Sequence, residues 1–165
     1  AAIGMIFSMW LYNKKVLKKS VLWILDRVVI ASAIGAVFIR VGNFFNSEMI
    51  GKPTEEGFPF AVVFRQLDNI PRHPGQLYEA FGYVFVFLTL FFLYWKTKKS
   101  TQTGFLFGLF LVLLMTVRVI VEQFKIAQID SREDWVLGLN TGQVLSIPFL
   151  LIGLYFMFLY KPKSN

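Results

Sequence analysis

The sequence predicts an all-α polytopic membrane protein of about five crossings, the first of them incomplete, with a small cap between the second and third. Three observations carry this expectation. Hydrophobic residues make up 56% of the 165 and charged residues only 16%, against roughly 25% charged in an ordinary soluble domain. A water-soluble globule of this composition would lack the polar surface to cover itself. Four apolar runs, 21–39, 76–95, 104–123 and 142–160, approach the roughly 20 residues that a helix rising about 1.5 Å per residue needs to cross about 30 Å of hydrocarbon. The connections between them alternate in charge, as a series of crossings requires. Together they make 1–165 a single membrane domain.

The elements follow in order. The run 1–12 is too short to span and has no basic segment before it, so it is neither a complete crossing nor a signal peptide. The expectation is that the chain starts inside a helix and is the C-terminal portion of a longer protein. Lys14, Lys15, Lys18 and Lys19 fill the next connection, Lys96, Lys98 and Lys99 the third, and Lys161 and Lys163 the tail. By the positive-inside rule these segments and the C-terminus are cytoplasmic, which places 40–75 and 124–141 on the outer, periplasmic face. The net charge of +7 is therefore mostly topology, and nucleic acid is not an expected partner. Trp10, Trp23, Tyr94, Trp95, Trp135 and Tyr160 fall near the inferred boundaries, where interfacial aromatics collect. Segment 40–75 is long for a helix connection and is punctuated by Pro53, Pro59, Pro71, Pro74, Gly42, Gly51 and Gly57, so it reads as an ordered cap. Within it, Phe58 to Phe64 is a short apolar run, either a strand or an interfacial segment. The absence of cysteine excludes a disulfide scaffold and a cysteine nucleophile on this chain.

Charged residues inside apolar runs need a reason, since one at the centre of a spanning helix costs about 2.5–3.5 kcal/mol on insertion scales. Arg118 and Glu122 are four apart on one helical face, with Arg118 about 21 Å from the inner end of its run. Taken alone, Arg118 is a snorkelling arginine near a helix C-terminus, held by an internal ion pair. Arg40 ends the preceding outward run at the same level, and Gly42 suits a left-handed cap there. Pro74 and Gly75 suit a turn into the next helix, and Glu79 suits its first turn, near the positive dipole end. A lone His73 is most simply an interfacial histidine. Arg40, Arg72, Arg118, Glu48, Glu79 and Glu122 nevertheless converge on one level, the outer headgroup region. Guanidiniums that make paired hydrogen bonds suit a phosphate oxyanion, and the natural anion at that depth is a phospholipid headgroup. Asp26 and Arg27 fit simpler causes, an acid near a helix N-terminus and the inside bias of cations.

The wording of these stretches resembles that of a known family. Arg40-Val41-Gly42-Asn43-Phe44-Phe45-Asn46, with Glu48 and Gly51, resembles the signature of the bacterial phosphatidylglycerol:prolipoprotein diacylglyceryl transferases. His73-Pro74-Gly75-Gln76-Leu77-Tyr78-Glu79, Arg118-Val119-Ile120-Val121-Glu122-Gln123-Phe124 and Gly142-Gln143-Val144-Leu145-Ser146-Ile147-Pro148 are similar to three further motifs of that family, in order. The resemblance implies an inner-membrane enzyme that moves the diacylglyceryl group of phosphatidylglycerol onto the lipobox cysteine of a prolipoprotein, forming a thioether and releasing glycerol 1-phosphate. It implies no metal or organic cofactor.

On this reading Arg118, Glu122 and Glu48 are the candidate catalytic residues, and Arg40, Asn43, Asn46 and Gly51 the candidate phosphatidylglycerol-binding residues. His73, Gln76 and Tyr78 are further candidates. Arg40 and Arg118 would hold the phosphate, with Glu122 fixing Arg118, and Glu48 and Asn46 orienting Arg40 or the headgroup glycerol. Two departures stand out: Ser47 occupies a position usually glycine in the family, and Lys125 with Gln128-Ile129-Asp130 replaces an arginine followed by a Pro-Asp pair. The family's implicated histidine, in a His-Gly pair, falls upstream of Ala1, and His73 belongs to a different motif. A non-catalytic phospholipid-binding subunit would need the same arginines, and transfer of labelled lipid to a lipobox peptide separates the two. A transporter would place its charges near the midplane, with repeated halves.

Overall fold

Four helices long and apolar enough to cross a bilayer make up the computed structural model, which describes residues 7–8, 10–55, 57–126 and 139–160. Helix α1 is Val21–Phe45, α2 is Gly75–Lys96, α3 is Phe105–Glu122, and α4 is Thr141–Leu154, extended by a π-helical turn over Tyr155–Leu159. Their directions alternate. The start of α3 at Gly104 meets Leu22 of α1 and Phe156 and Tyr160 beyond α4 at one end, while Arg40, Glu79 and Lys125 meet at the other. Phe7, Ser8 and Trp10–Tyr12 are helical and lead into a π-helical turn at Asn13–Leu17. Residues 1–6, Trp135, Gln128-Ile129-Asp130 and the tail lysines lie outside the described residues.

Apolar side chains face outward. On α2, Phe81, Phe85, Leu88, Phe92 and Trp95 form an exposed stripe at helical spacing, whereas Gln76, Glu79, Tyr83, Val86 and Leu90 are buried. Lipid tails solvate the stripe, so apolar area gives no preference for inside over outside, and close packing has to hold the helices together. Glycines supply it between α3 and α4. A Cβ on Gly108 would stand 2.6 Å from the Gly153 carbonyl oxygen, and one on Gly153 would stand 2.7 Å from that of Gly108. A core of Val29, Ala33, Val86, Leu90, Phe105 and Leu106 ties α1, α2 and α3.

Two sequence expectations change. The first run does not stop at 39: α1 continues to Phe45, so Arg40 lies inside a helix and Gly42 is a helical residue. The 25-residue helix is about 37 Å long, and its polar final turns are tolerated because Arg40 finds a buried carboxylate. Asp26 is an acid at a helix N-terminus, but at that of α3 and not of its own helix. Its buried carboxylate accepts from the backbone N–H of Gly104 at 2.6 Å and of Phe107 at 2.8 Å. Gly104, at φ +91°, turns the chain so that these donors point at it.

The cap starts after Phe45. Antiparallel strands β1, Val62–Val63, and β2, Pro71–Arg72, pair within it, and Pro53 bridges to Arg72. The Phe58–Phe64 run thus resolves into turns and one short strand, with Phe64 buried against Phe44. Gly51 bridges to Lys125, and Lys52 N–H donates to the Phe124 carbonyl at 2.8 Å, so the cap is stitched to the chain leaving α3.

Replacing Asp26 by Ala strands two buried N–H groups and is expected to lower stability by about 2–4 kcal/mol, read as a fall in the thermal midpoint in detergent. Gly108→Val is expected to separate α3 from α4 at about 1–3 kcal/mol. Gly35→Ala, with nothing within 4 Å of the added methyl, raises the midpoint or leaves it unchanged.

Candidate active site at the cap end of the bundle

The cap end gathers charges from three segments onto one carboxylate. Glu79, in the second turn of α2, is completely buried. Its Oε2 stands 3.0 Å from Arg40 Nε of α1 and 2.8 Å from Nζ of Lys125, just beyond α3. Lys125 reaches Glu79 along an unobstructed path, because Gly75 has no side chain: a Cβ there would lie 3.3 Å from Lys125 Cγ. The Lys125 ammonium is also 3.7 Å from Glu122 Oε2. Tyr83, one turn after Glu79, places its buried phenol in the field of Glu79, Arg40 and Arg118. The two arginines predicted to share an anion therefore both lie within electrostatic reach of Tyr83.

Arg118 is not paired with Glu122. Among the described residues no ion pair joins them, because Lys125 at i+3 holds the carboxylate instead. Gly142 at the start of α4 presses on that carboxylate from the other side, and Asn140 donates to the Glu122 carbonyl. Arg118 Nε, both carboxylate oxygens of Glu79, Gln76 Oε1 and Thr141 Oγ1 are buried without a hydrogen-bond partner, the cations at Glu79 Oε2 being ion-pair contacts. Buried polar atoms almost always have partners, so these five stand out among the described residues.

Asn43, one turn after Arg40, links the cluster to the cap. With its amide oriented by its surroundings, the oxygen accepts from Arg40 Nη1 and the nitrogen donates to Glu48 Oε2, both at 3.3 Å. Glu48 is solvent-exposed, and its carbonyl accepts from the Gln76 amide. Asn46 is exposed and is the C-cap of α1. Gly51 lies against the His73 backbone so closely that no side chain would fit.

A profile of the prolipoprotein diacylglyceryl transferase family matches residues 1–159. The chain belongs to this family. The phosphatidylglycerol–prolipoprotein diacylglyceryl transferase of Bacteroides fragilis is 45% identical over 163 residues, 99% of this chain and 57% of the relative. Those of Tolumonas auensis and Chloroherpeton thalassium are 44% and 39% identical, over 95% and 94% of this chain and 59% and 57% of their own. The chain thus spans somewhat under three-fifths of the length of these transferases.

Of the other predicted residues of this diacylglyceryl transferase family member, His73 lies in the cap and Tyr78 in the first turn of α2. His73 Nδ1 is 3.2 Å from the Tyr78 hydroxyl, and the imidazole packs edge-on against Phe58 and Phe124. It lines a cavity of about 520 Å³ with Pro53, Thr54, Glu55, Gly57 and Phe58. Arg72 is engaged by Asp68 at 2.6 Å and by the Gly51 carbonyl, so it braces the cap and is not in the cluster. That guanidinium, with the Ile70 N–H, holds the Asp68 carboxyl below its ordinary range.

Three residues of the cluster were outside the candidate set. Glu79 is among the charges expected at the outer level, with a dipole role at the first turn, but α2 begins at Gly75, which places it on the buried face with Gln76 and Tyr83. The i−3 and i+4 spacing to those two residues was the available signal. Lys125 was noted only as a departure from the family, and nothing in the sequence pairs it with Glu79. Tyr83 was not singled out. Ser47, where the family usually has glycine, adopts φ +57°, a left-handed conformation that disfavours a side chain. Ser47→Gly is expected to raise stability by about 0.5–1 kcal/mol, seen as a higher thermal midpoint with the fold unchanged.

Proposed function

We propose that this chain contributes the headgroup site of a transferase that moves the sn-1,2-diacylglyceryl group of phosphatidylglycerol onto the lipobox cysteine thiol of a prolipoprotein. The reaction takes place at the bacterial inner membrane. One observation carries the reading: Arg40 and Arg118, from different helices, both lie within electrostatic reach of the buried Tyr83, and Arg118 keeps a buried Nε–H without a partner. The cap is periplasmic and the lysine-rich end cytoplasmic, in keeping with the charge bias of the connections.

The chemistry follows from what each bond does. The cysteine sulfur attacks the glyceryl carbon that bears the phosphate ester, a carbon–sulfur bond forms, and the carbon–oxygen bond breaks with its electron pair on the phosphate oxygen. Glycerol 1-phosphate departs and the thiol proton is lost to a base or to water. A free thiol, with a pKa near 8.5, is intrinsically nucleophilic even when only partly ionised. The harder demand is on the leaving side, where the phosphate gains a second negative charge. Fixed guanidiniums are suited to that task, since they already point at the oxygen where charge develops and need no reorganisation. Arg40 and Arg118 fill this role. Glu48, through Asn43, orients Arg40, while Asn46, Gly51, Gln76, His73 and Tyr78 shape the cap around the headgroup glycerol. Glu122 acts through Lys125.

Arg118→Lys in the whole protein keeps the charge and removes the fork and the Nε–H. Transfer of labelled diacylglyceryl to a lipobox peptide is expected to fall about 10²–10³-fold, with the protein still folded in the membrane. A rate within about twofold of the parent would overturn the assignment.

A further inference from the structure

We propose that Glu79 is a positioning residue: it holds Arg40 through an ion pair at Nε so that the guanidinium fork stays aimed at the lipid phosphate, with Lys125 holding Glu79 in place. This rests on the phosphate-binding reading above. A carboxylate buried beside an anion-binding site is an electrostatic liability, because it repels the ligand in a medium that screens poorly. Its presence there calls for a compensating task, and the geometry supplies one.

Arg40 is long and flexible, and left alone it would sample many directions at the bundle's end. Glu79 Oε2 forms an ion pair with Arg40 Nε at 3.0 Å, and the Asn43 amide oxygen accepts from Nη1 at 3.3 Å. Two contacts on a planar guanidinium fix both its position and its plane, so the direction of its other donors is set. Glu79 itself is held from the far side, by the Lys125 ammonium at 2.8 Å on the same oxygen. Lys125 in turn is fixed by its stem on Gly75, by its backbone bridge to Gly51, and by Glu122 at 3.7 Å. The chain Asn43–Arg40–Glu79–Lys125–Glu122 runs from α1 through α2 to the end of α3 and joins the two arginine-bearing helices.

The sign of one measurement separates this role from that of a nearby charge. Glu79→Gln, in the whole protein in phosphatidylglycerol-containing vesicles, removes the negative charge with almost no change of shape. Were Glu79 only a charge, the anionic lipid would bind more tightly and KM would fall. Positioning predicts the opposite: KM for phosphatidylglycerol rises about tenfold or more, with a smaller fall in kcat. The charge-balanced Glu79→Gln/Lys125→Met variant remains as impaired as Glu79→Gln, since Arg40 is loose in both, whereas Lys125→Arg keeps KM near the parent's. A KM that is unchanged or lower in Glu79→Gln, or restored in the double variant, overturns the inference. If Glu79→Gln fails to accumulate in the membrane, Lys125→Met carries the test, and an unaltered KM there overturns it equally. Arg40→Ala is the gauge for the underlying reading. If its KM matches the parent's, the phosphate site itself is wrong; if its KM rises and that of Glu79→Gln does not, only the positioning role fails.

Discussion

A fully buried carboxylate with two cations on one oxygen is the constraint around which the cap end is arranged. Glu79 cannot be placed in a low-dielectric interior unless it is paired, and breaking such a pair from one side leaves an uncompensated charge that costs several kcal/mol. Arg40 and Lys125 meet that requirement from opposite sides. Each comes from a different segment, so satisfying Glu79 fixes α1, α2 and the end of α3 relative to one another. The long extension of α1 past the apolar run follows from the same demand, since Arg40 must be carried on a rigid element to reach its partner. So does the position of the cap, whose Gly51 bridges to Lys125.

The opposite end uses the same principle with different partners. Asp26 is as buried as Glu79, and it is satisfied by the orphan N–H groups at the start of α3 instead of by cations. Between the two ends the helices meet through side chains such as Leu90 and Leu106 and through the Gly108–Gly153 approach. In a bilayer such contacts gain nothing from leaving water, and a helix could slide or rotate by a turn at modest expense. Two buried carboxylates at the ends remove that freedom. Register is thus set by polar contacts and filled in by apolar ones, the reverse of the division in a soluble bundle.

That division explains what the sequence could show. Apolar runs and lysine-rich connections are local signals, so the four crossings were legible, with boundaries off by a residue or two except at Arg40. There the reading took a charged residue as the end of a helix, because hydropathy cannot see a partner on another helix. The motifs brought Arg40, Asn43, Glu48 and Arg118 into one set, but the pairing inside the set was not legible. An i, i+4 spacing made Glu122 the partner expected for Arg118, whereas the structure gives Glu122 to Lys125, three residues on. Glu79 and Asp26 both looked like dipole residues of their own helices. For Glu79 and Asp26 the true partners are tens of residues away, and only the fold supplies them.

The pairing that replaces the expected one is also the better arrangement for the proposed chemistry. A carboxylate bound to the Arg118 fork would satisfy it in the resting state and would have to be displaced by each incoming phosphate, so its attraction would be set against that of the ligand. With Lys125 absorbing the charge of Glu122 and sharing that of Glu79, the buried Arg118 Nε–H is left without a partner, and a ligand oxygen can complete it without competition. Arg40 is arranged differently, held at Nε and Nη1 and therefore fixed in direction. In the proposed reaction one arginine has an open donor to bind the anion and the other a fixed plane to meet the charge that grows on it. Lysine suits the third cation because it is a compact point charge that can satisfy two carboxylates at once, a task that does not require a planar fork.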